Sequence, residues 1–223
     1  EPTTGPDDVL IRIGAVGICG SDMHAFLGHD ARRPAPLILG HEAAGTVVGG
    51  DMDGQRVTIN PLVACGTCAA CLRGHDNLCP KRQIISMPPR EGAFAEMVAM
   101  PRANLVAVPD HVSFAKASLA EPLACGWHAA RLARTALGRD ADRALVIGGG
   151  AIGLGAALSL AAQGVNDVTI VEPNPLRLAN LVENCGQSAI SPDALTEEML
   201  FDIVVDGVGY AKTRATASAH AIP

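Results

Sequence analysis

The 223-residue sequence has few aromatic side chains: one Trp, one Tyr and four Phe make up 3% of it. Positive charge is not in excess either. Lys and Arg total 17 against 23 Asp and Glu, for a formal charge of −6. A mildly acidic chain lacks the basic patch that nucleic acid or an anionic membrane surface attracts, so neither is expected as a partner. There is no internal repeat, no low-complexity tract and no collagen-like period among the 24 Gly and 15 Pro. The apolar fraction of 48% is too high for a disordered chain. Seven cysteines at uneven spacing do not make a disulfide scaffold. They suit metal ligation in a reducing compartment, which points to the cytoplasm.

One stretch has the length of a membrane span, because residues 144–166 carry no charge. Six glycines punctuate it, and a buried strand, a glycine turn and a buried helix account for the run better. Glu1 is not an initiator methionine, so a removed signal peptide stays open.

Two textures divide the chain. Residues 1–122 are rich in Pro, Gly and short β-like runs, with strands expected at 9–13, 45–48, 56–59, 93–99 and 105–108. From Ser113 onward the pattern turns helical, and a helix over 115–137 is expected to break at Pro122. Residues 123–223 then alternate: strand 143–147, helix 152–163, strand 167–171, helix 175–184 and strand 201–205. Such alternation implies a parallel sheet. The fold class is therefore α/β, an irregular β-rich domain followed by a parallel-sheet domain, which the glycine motif at 148–153 makes a dinucleotide-binding domain of Rossmann type.

Cys65, Cys68, Cys71 and Cys79 read C-x2-C-x2-C-x7-C. Four thiolates this close can close a tetrahedron around zinc, leaving no position open for chemistry, so the site would be structural. An iron–sulfur cluster and four free or paired thiols are the competing readings. Upstream, Cys19-Gly20-Ser21-Asp22-Met23-His24 is followed by Gly40-His41-Glu42. A thiolate and an imidazole suit zinc, although one Cys and one His are by themselves weak evidence.

In the order Gly17 to His24, Gly40 to Gly45, then the four-cysteine loop, the sequence resembles the zinc-dependent medium-chain dehydrogenases. Glu121-Pro122-Leu123-Ala124 is similar to the marker of the polyol and threonine dehydrogenase branch. The resemblance implies a GroES-like first domain and two zinc ions per chain, one catalytic and one structural. It implies that Cys19, His41 and Glu121 hold the catalytic zinc, Glu121 directly or through water, and that Glu42 can exchange onto the metal. Asp22 would orient His41 by a hydrogen bond, while Ser21 and His24 match the proton relay. Cys125 is an outside alternative to Glu121, and Cys185 matches nothing and reads as structural.

The implied reaction is oxidation of a secondary alcohol or polyol to a ketone, with hydride passing to NAD(P) and the hydroxyl proton leaving through Ser21 and His24. Gly148-Gly149-Gly150-Ala151-Ile152-Gly153 fits G-x-G-x-x-G after a strand and at the opening of a helix. Gly148, Gly150 and Gly153 would admit the pyrophosphate to the helix N-terminus. Glu172, at the end of the next strand, would accept both adenosine ribose hydroxyls and repel a 2′-phosphate, favouring NAD over NADP. Arg177 could instead reach such a phosphate, or be a solvated helix charge.

A methyltransferase that binds S-adenosylmethionine shares the glycine turn but needs no zinc motif. A zinc-stapled, nucleotide-binding sensor without catalysis is the alternative of a different class. Only the first half of a dinucleotide fold plus one strand is legible, so the chain is expected to be part of a longer one that forms a homodimer or homotetramer. The alcohol itself is open. The branch often carries an aromatic just after the relay histidine, where this sequence has Ala25 and then Phe26. Phe94, Trp127 and the 87–89 loop are candidate cleft residues, although core packing explains each aromatic equally well.

Overall fold

The computed structural model describes residues 2–222. The chain divides into two compact units, Glu1–Glu121 and Pro122–Pro223.

The first unit carries β1 (Asp8–Gly17), α1 (Gly20–Phe26), β2 (Glu42–Val48), β3 (Arg56–Ile59), β4 (Leu62–Val63), α2 (Ala69–Leu72), β5 (Gln83–Ile84), β6 (Met97–Pro101), β7 (Leu105–Ala107) and α3 (Phe114–Ala117). Five of these strands form an antiparallel sheet in the order β6-β1-β2-β3-β7. Alternation decides which side chains go inward. Val57 and Ile59 on β3 and Val98 and Met100 on β6 are buried, and they pack with Ile11, Val47 and Ile85. A bulge between Ile13 and Ala15 lets β1 run on beside the start of β2, where Gly17 pairs with Glu42.

The second unit holds most of α4 (Ala120–Leu137), then β8 (Arg143–Ile147), α5 (Ala151–Ala162), β9 (Asp167–Val171), α6 (Pro175–Glu183), β10 (Ser188–Ile190), β11 (Ile203–Asp206) and α7 (Ala211–His220). The sheet is parallel with the order β10-β9-β8-β11. Residues 144–147 of β8 are all buried, as a strand covered on both faces requires. Strand order reverses between β8 and β11, and in open α/β sheets ligands bind outside the carboxyl ends of the strands at such a point. No helix of the described residues is long and apolar enough to cross a membrane.

Three sequence expectations shift, and one further strand lies outside them. Residues 93–96 are not strand, because the N–H groups of Ala93 and Phe94 bond to the Gly40 and Leu39 carbonyls instead of to a sheet neighbour. The helix expected over 115–137 breaks at Ser118-Leu119, not at Pro122. Pro122 lies in the first turn of α4, where its missing N–H would have no helical acceptor. The strand expected at 201–205 begins at Ile203, since the Phe201 N–H is taken by the His220 carbonyl. β10 was not anticipated; three residues are too few to show a period.

Candidate active site and metal centres

Register builds the first site. Gly17 ends β1 opposite Glu42 at the start of β2, so Cys19 and His41, each just outside the paired segment, come together. The ligand atoms of Cys19, His41 and Glu42 lie within 4.8 Å of one another. Glu121 stands outside that mutually close set, although its charge acts on His41.

Cys19 is also the N-cap of α1. Its N–H donates to Asp22 Oδ2 at 3.0 Å. Asp22 is 2% exposed, and its Oδ1 accepts from the Gly40 N–H at 3.2 Å and faces His41 Nδ1 at 3.4 Å. Nδ1 makes no hydrogen bond of good geometry there. The buried Arg33 guanidinium lies 4.0 Å from the same oxygen. Sequence reasoning did not mark Arg33; it sits in a loop, and only the folded chain brings it to Asp22.

The hydrogen bond from His41 holds the Cys19 thiol below its ordinary range, against the opposing effect of burial. Burial lowers His41, but Cys19 and the charges of Asp22 and Glu121 outweigh it, leaving the imidazole above its usual range. Glu42 and Glu121 are both pushed up, chiefly by burial. A soft thiolate, an imidazole and buried carboxylates are a donor set that fits zinc, and a divalent ion would relieve their mutual repulsion.

Ser21 is half-buried and hydrogen-bonded to Cys19. His24, three residues on along the same helix face, is exposed. One helix thus carries a hydroxyl at the donor set and an imidazole at the solvent.

The second candidate metal site is local. Cys68 caps α2. The Cys68 and Cys71 sulfurs are 3.4 Å apart and those of Cys65 and Cys71 4.0 Å. A zinc tetrathiolate with bonds of about 2.3 Å has sulfurs roughly 3.8 Å apart. All four ligand atoms lie within 4.8 Å of one another, and none of these four cysteines is in a disulfide. Four thiols so close cannot all ionise unaided. Backbone and side-chain hydrogen bonds from Thr67 bring Cys65 down to about 6, while burial and the neighbouring Cys68 push Cys71 up to about 12.

The glycine loop lies between β8 and α5. Gly148 has φ +90°, a left-handed value that favours glycine. A Cβ on Gly153 would run into the Gly148 carbonyl. Gly150 is the N-cap of α5, so the turn presents free N–H groups suited to an anion. Glu172 follows β9 and is 1% exposed. Its Oε2 accepts from the Gly149 N–H at 2.8 Å and from Arg177 at 3.1 Å, and its Oε1 from the Asn174 N–H at 2.8 Å. Burial raises this carboxyl, but those donors outweigh it and hold it below the ordinary range. A carboxylate offers about four acceptor positions, so one is left over. Glu172 therefore braces the glycine loop, and contact with both hydroxyls of a ribose would require Arg177 to move away.

Of the candidate cleft residues, Phe94 packs beside Gly40. Pro89 lines an open cavity of about 740 Å³ that none of Cys19, His41, Glu42 or Glu121 lines. Trp127 lies with Leu123 and Leu158 in a shallow apolar groove of the second unit.

Residues 5–110 match the alcohol dehydrogenase GroES-like domain. The chain is 39% identical over 186 residues to the sorbitol dehydrogenase of Bacillus subtilis, covering 79% of this chain and 52% of that protein. It is 34% identical over 239 residues to the L-idonate 5-dehydrogenase of Vitis vinifera, covering 97% of this chain and 64% of that one. Together with the two clusters of potential metal ligands and the Rossmann-type sheet, this makes the chain a member of the zinc-type medium-chain alcohol and polyol dehydrogenase family. Among solved structures it is similar to an Escherichia coli oxidoreductase/dehydrogenase of unknown specificity, with a TM-score of 0.87 at 33% identity over 99% of this chain and 69% of that one. The chain spans roughly half to two thirds of the curated relatives it matches.

Proposed function

We propose that the chain belongs to a zinc-dependent oxidoreductase that oxidises a secondary alcohol or polyol to a ketone and reduces NAD(P). The observation carrying this reading is the convergence of Cys19, His41 and Glu42 within 4.8 Å, at the N-terminus of the helix bearing Ser21 and His24. Zinc held there would supply Lewis acidity, letting an alcohol hydroxyl ionise near neutral pH, and a bound nicotinamide would supply the acceptor for the carbinol hydride.

The protein's own residues do the rest. Cys19 and His41 would grip the ion, with Glu42 and Glu121 as its carboxylate ligands or exchange partners. With Cys19 and one carboxylate bound at a time, two anionic ligands would offset the ion's charge and moderate its acidity. Ser21 takes the hydroxyl proton, and His24 delivers it to solvent. Cys65, Cys68, Cys71 and Cys79 would hold a second, structural zinc. Gly148, Gly150 and Gly153 admit the coenzyme pyrophosphate, and Glu172 supports that loop while disfavouring a 2′-phosphate, so NAD is the expected coenzyme. Sorbitol and L-idonate, named for the relatives, define the class of small hydroxylated substrate to be tried first. A cytoplasmic homodimer or homotetramer completes the reading.

Zinc analysis and coenzyme reduction over a panel of polyols, sugar acids and simple alcohols test it on the full-length protein. Two zinc ions per chain and alcohol-dependent formation of NADH are expected. One zinc and no turnover with any of them would refute the catalytic reading.

A further inference from the structure

Ser86 is the one described residue other than glycine with a positive φ, +68°, and it is fully buried. A side chain in the left-handed region carries strain that persists only where the surroundings hold it. Glycine would adopt this backbone freely. What serine adds is a hydroxyl. Its Oγ donates to Asp22 Oδ1 at 3.3 Å, across 64 positions of sequence. That oxygen also accepts from the Gly40 N–H at 3.2 Å and faces His41 Nδ1 at 3.4 Å, and the other oxygen holds the Cys19 N–H at 3.0 Å. The Asp22 carboxylate thus touches His41 and the backbone of Cys19, and Ser86 reaches it from a third segment. With Nδ1 turned toward Asp22, the other ring nitrogen is left for the donor set.

We propose that Ser86 is a positioning residue of the metal centre: its hydroxyl fixes the Asp22 carboxylate in the rotamer that orients the His41 ring toward Cys19 and Glu42. The inference rests on reading those three residues as a zinc site. Outer groups that orient a metal-bound histidine typically change metal affinity 10–100-fold. Ser86 acts through Asp22, so the low end of that range, about tenfold, is expected.

The test uses the full-length, zinc-loaded protein. Zinc transfer to a chromophoric chelator is followed in the wild type, Ser86→Gly and Ser86→Ala, with Cys68→Ser identifying the phase that belongs to the four-cysteine site. Cobalt-substituted samples of each give the visible spectrum of the other site. Both Ser86 variants should release zinc from the Cys19–His41 site about tenfold faster, with a displaced cobalt band and an unchanged four-cysteine phase. Ser86→Gly should melt at or above the wild-type temperature because it relieves the backbone. If Ser86→Gly keeps wild-type release rates and an unshifted band, the inference is wrong, even if Ser86→Ala is impaired, since backbone strain would then be the cause. A wild type that binds zinc only at the four-cysteine site would overturn the metal-centre reading itself, which no result with the variants can imitate.

Discussion

Replacing Glu172 by Gln tests whether this carboxylate braces the coenzyme loop. The substitution keeps the shape, so no cavity opens, but it removes the charge and one acceptor. In the wild type two backbone N–H groups, those of Gly149 and Asn174, point at opposite oxygens of a 1% exposed carboxylate. Hydrogen bonds to a charged partner are worth roughly 1.5–3 kcal/mol each. Gln can accept from only one of the two and turns its own NH2 toward the other. The Arg177 contact adds little, because that side chain is 51% exposed. The expected loss is about 2–4 kcal/mol at pH 7, read from urea melts of the unfolding transition of the second unit.

The pH dependence gives a second check on the same variant. Since the folded carboxyl titrates below its ordinary range, its stabilisation is complete above the unfolded value of about 4.3 and is lost as pH falls through the lower folded value. The gap between wild type and Glu172→Gln should therefore be constant at neutral pH and shrink in acid. A variant within about 0.5 kcal/mol of wild type at pH 7, or a gap that does not change with pH, would refute the bracing role.

Asp22→Asn should leave the fold intact and weaken zinc retention at the Cys19–His41 site by about 10–100-fold, measured by equilibrium dialysis against a chelator series. Cys68→Ser should lower zinc content by one equivalent and make the 65–79 loop the first point of proteolytic cleavage, while the other zinc stays bound. Gly153→Ala drives a methyl group into the Gly148 carbonyl; it should cost about 1–3 kcal/mol or more in stability and abolish coenzyme binding by fluorescence titration. His24→Ala should slow alcohol oxidation at neutral pH, with added imidazole restoring part of the rate. An unchanged rate would remove His24 from the proton path.

The sequence alone determined whatever is local. The four-cysteine loop is legible because its ligands lie within fifteen residues and need only a turn between them. The glycine turn is legible because its spacing, strand and helix are contiguous, and the alternation of β8, α5, β9 and α6 follows from period and punctuation. What the tertiary structure decided is which distant groups share one carboxylate. Cys19 and His41 meet because β1 and β2 pair in a particular register. Ser86 and Arg33 reach Asp22 only once the chain has folded back on itself. Glu172 could be marked from its position after a strand, yet its two oxygens are already committed to Gly149, Asn174 and Arg177. Hydrogen bonds and ion pairs act over a few ångströms of space, and sequence separation carries no record of which residues folding will bring that close.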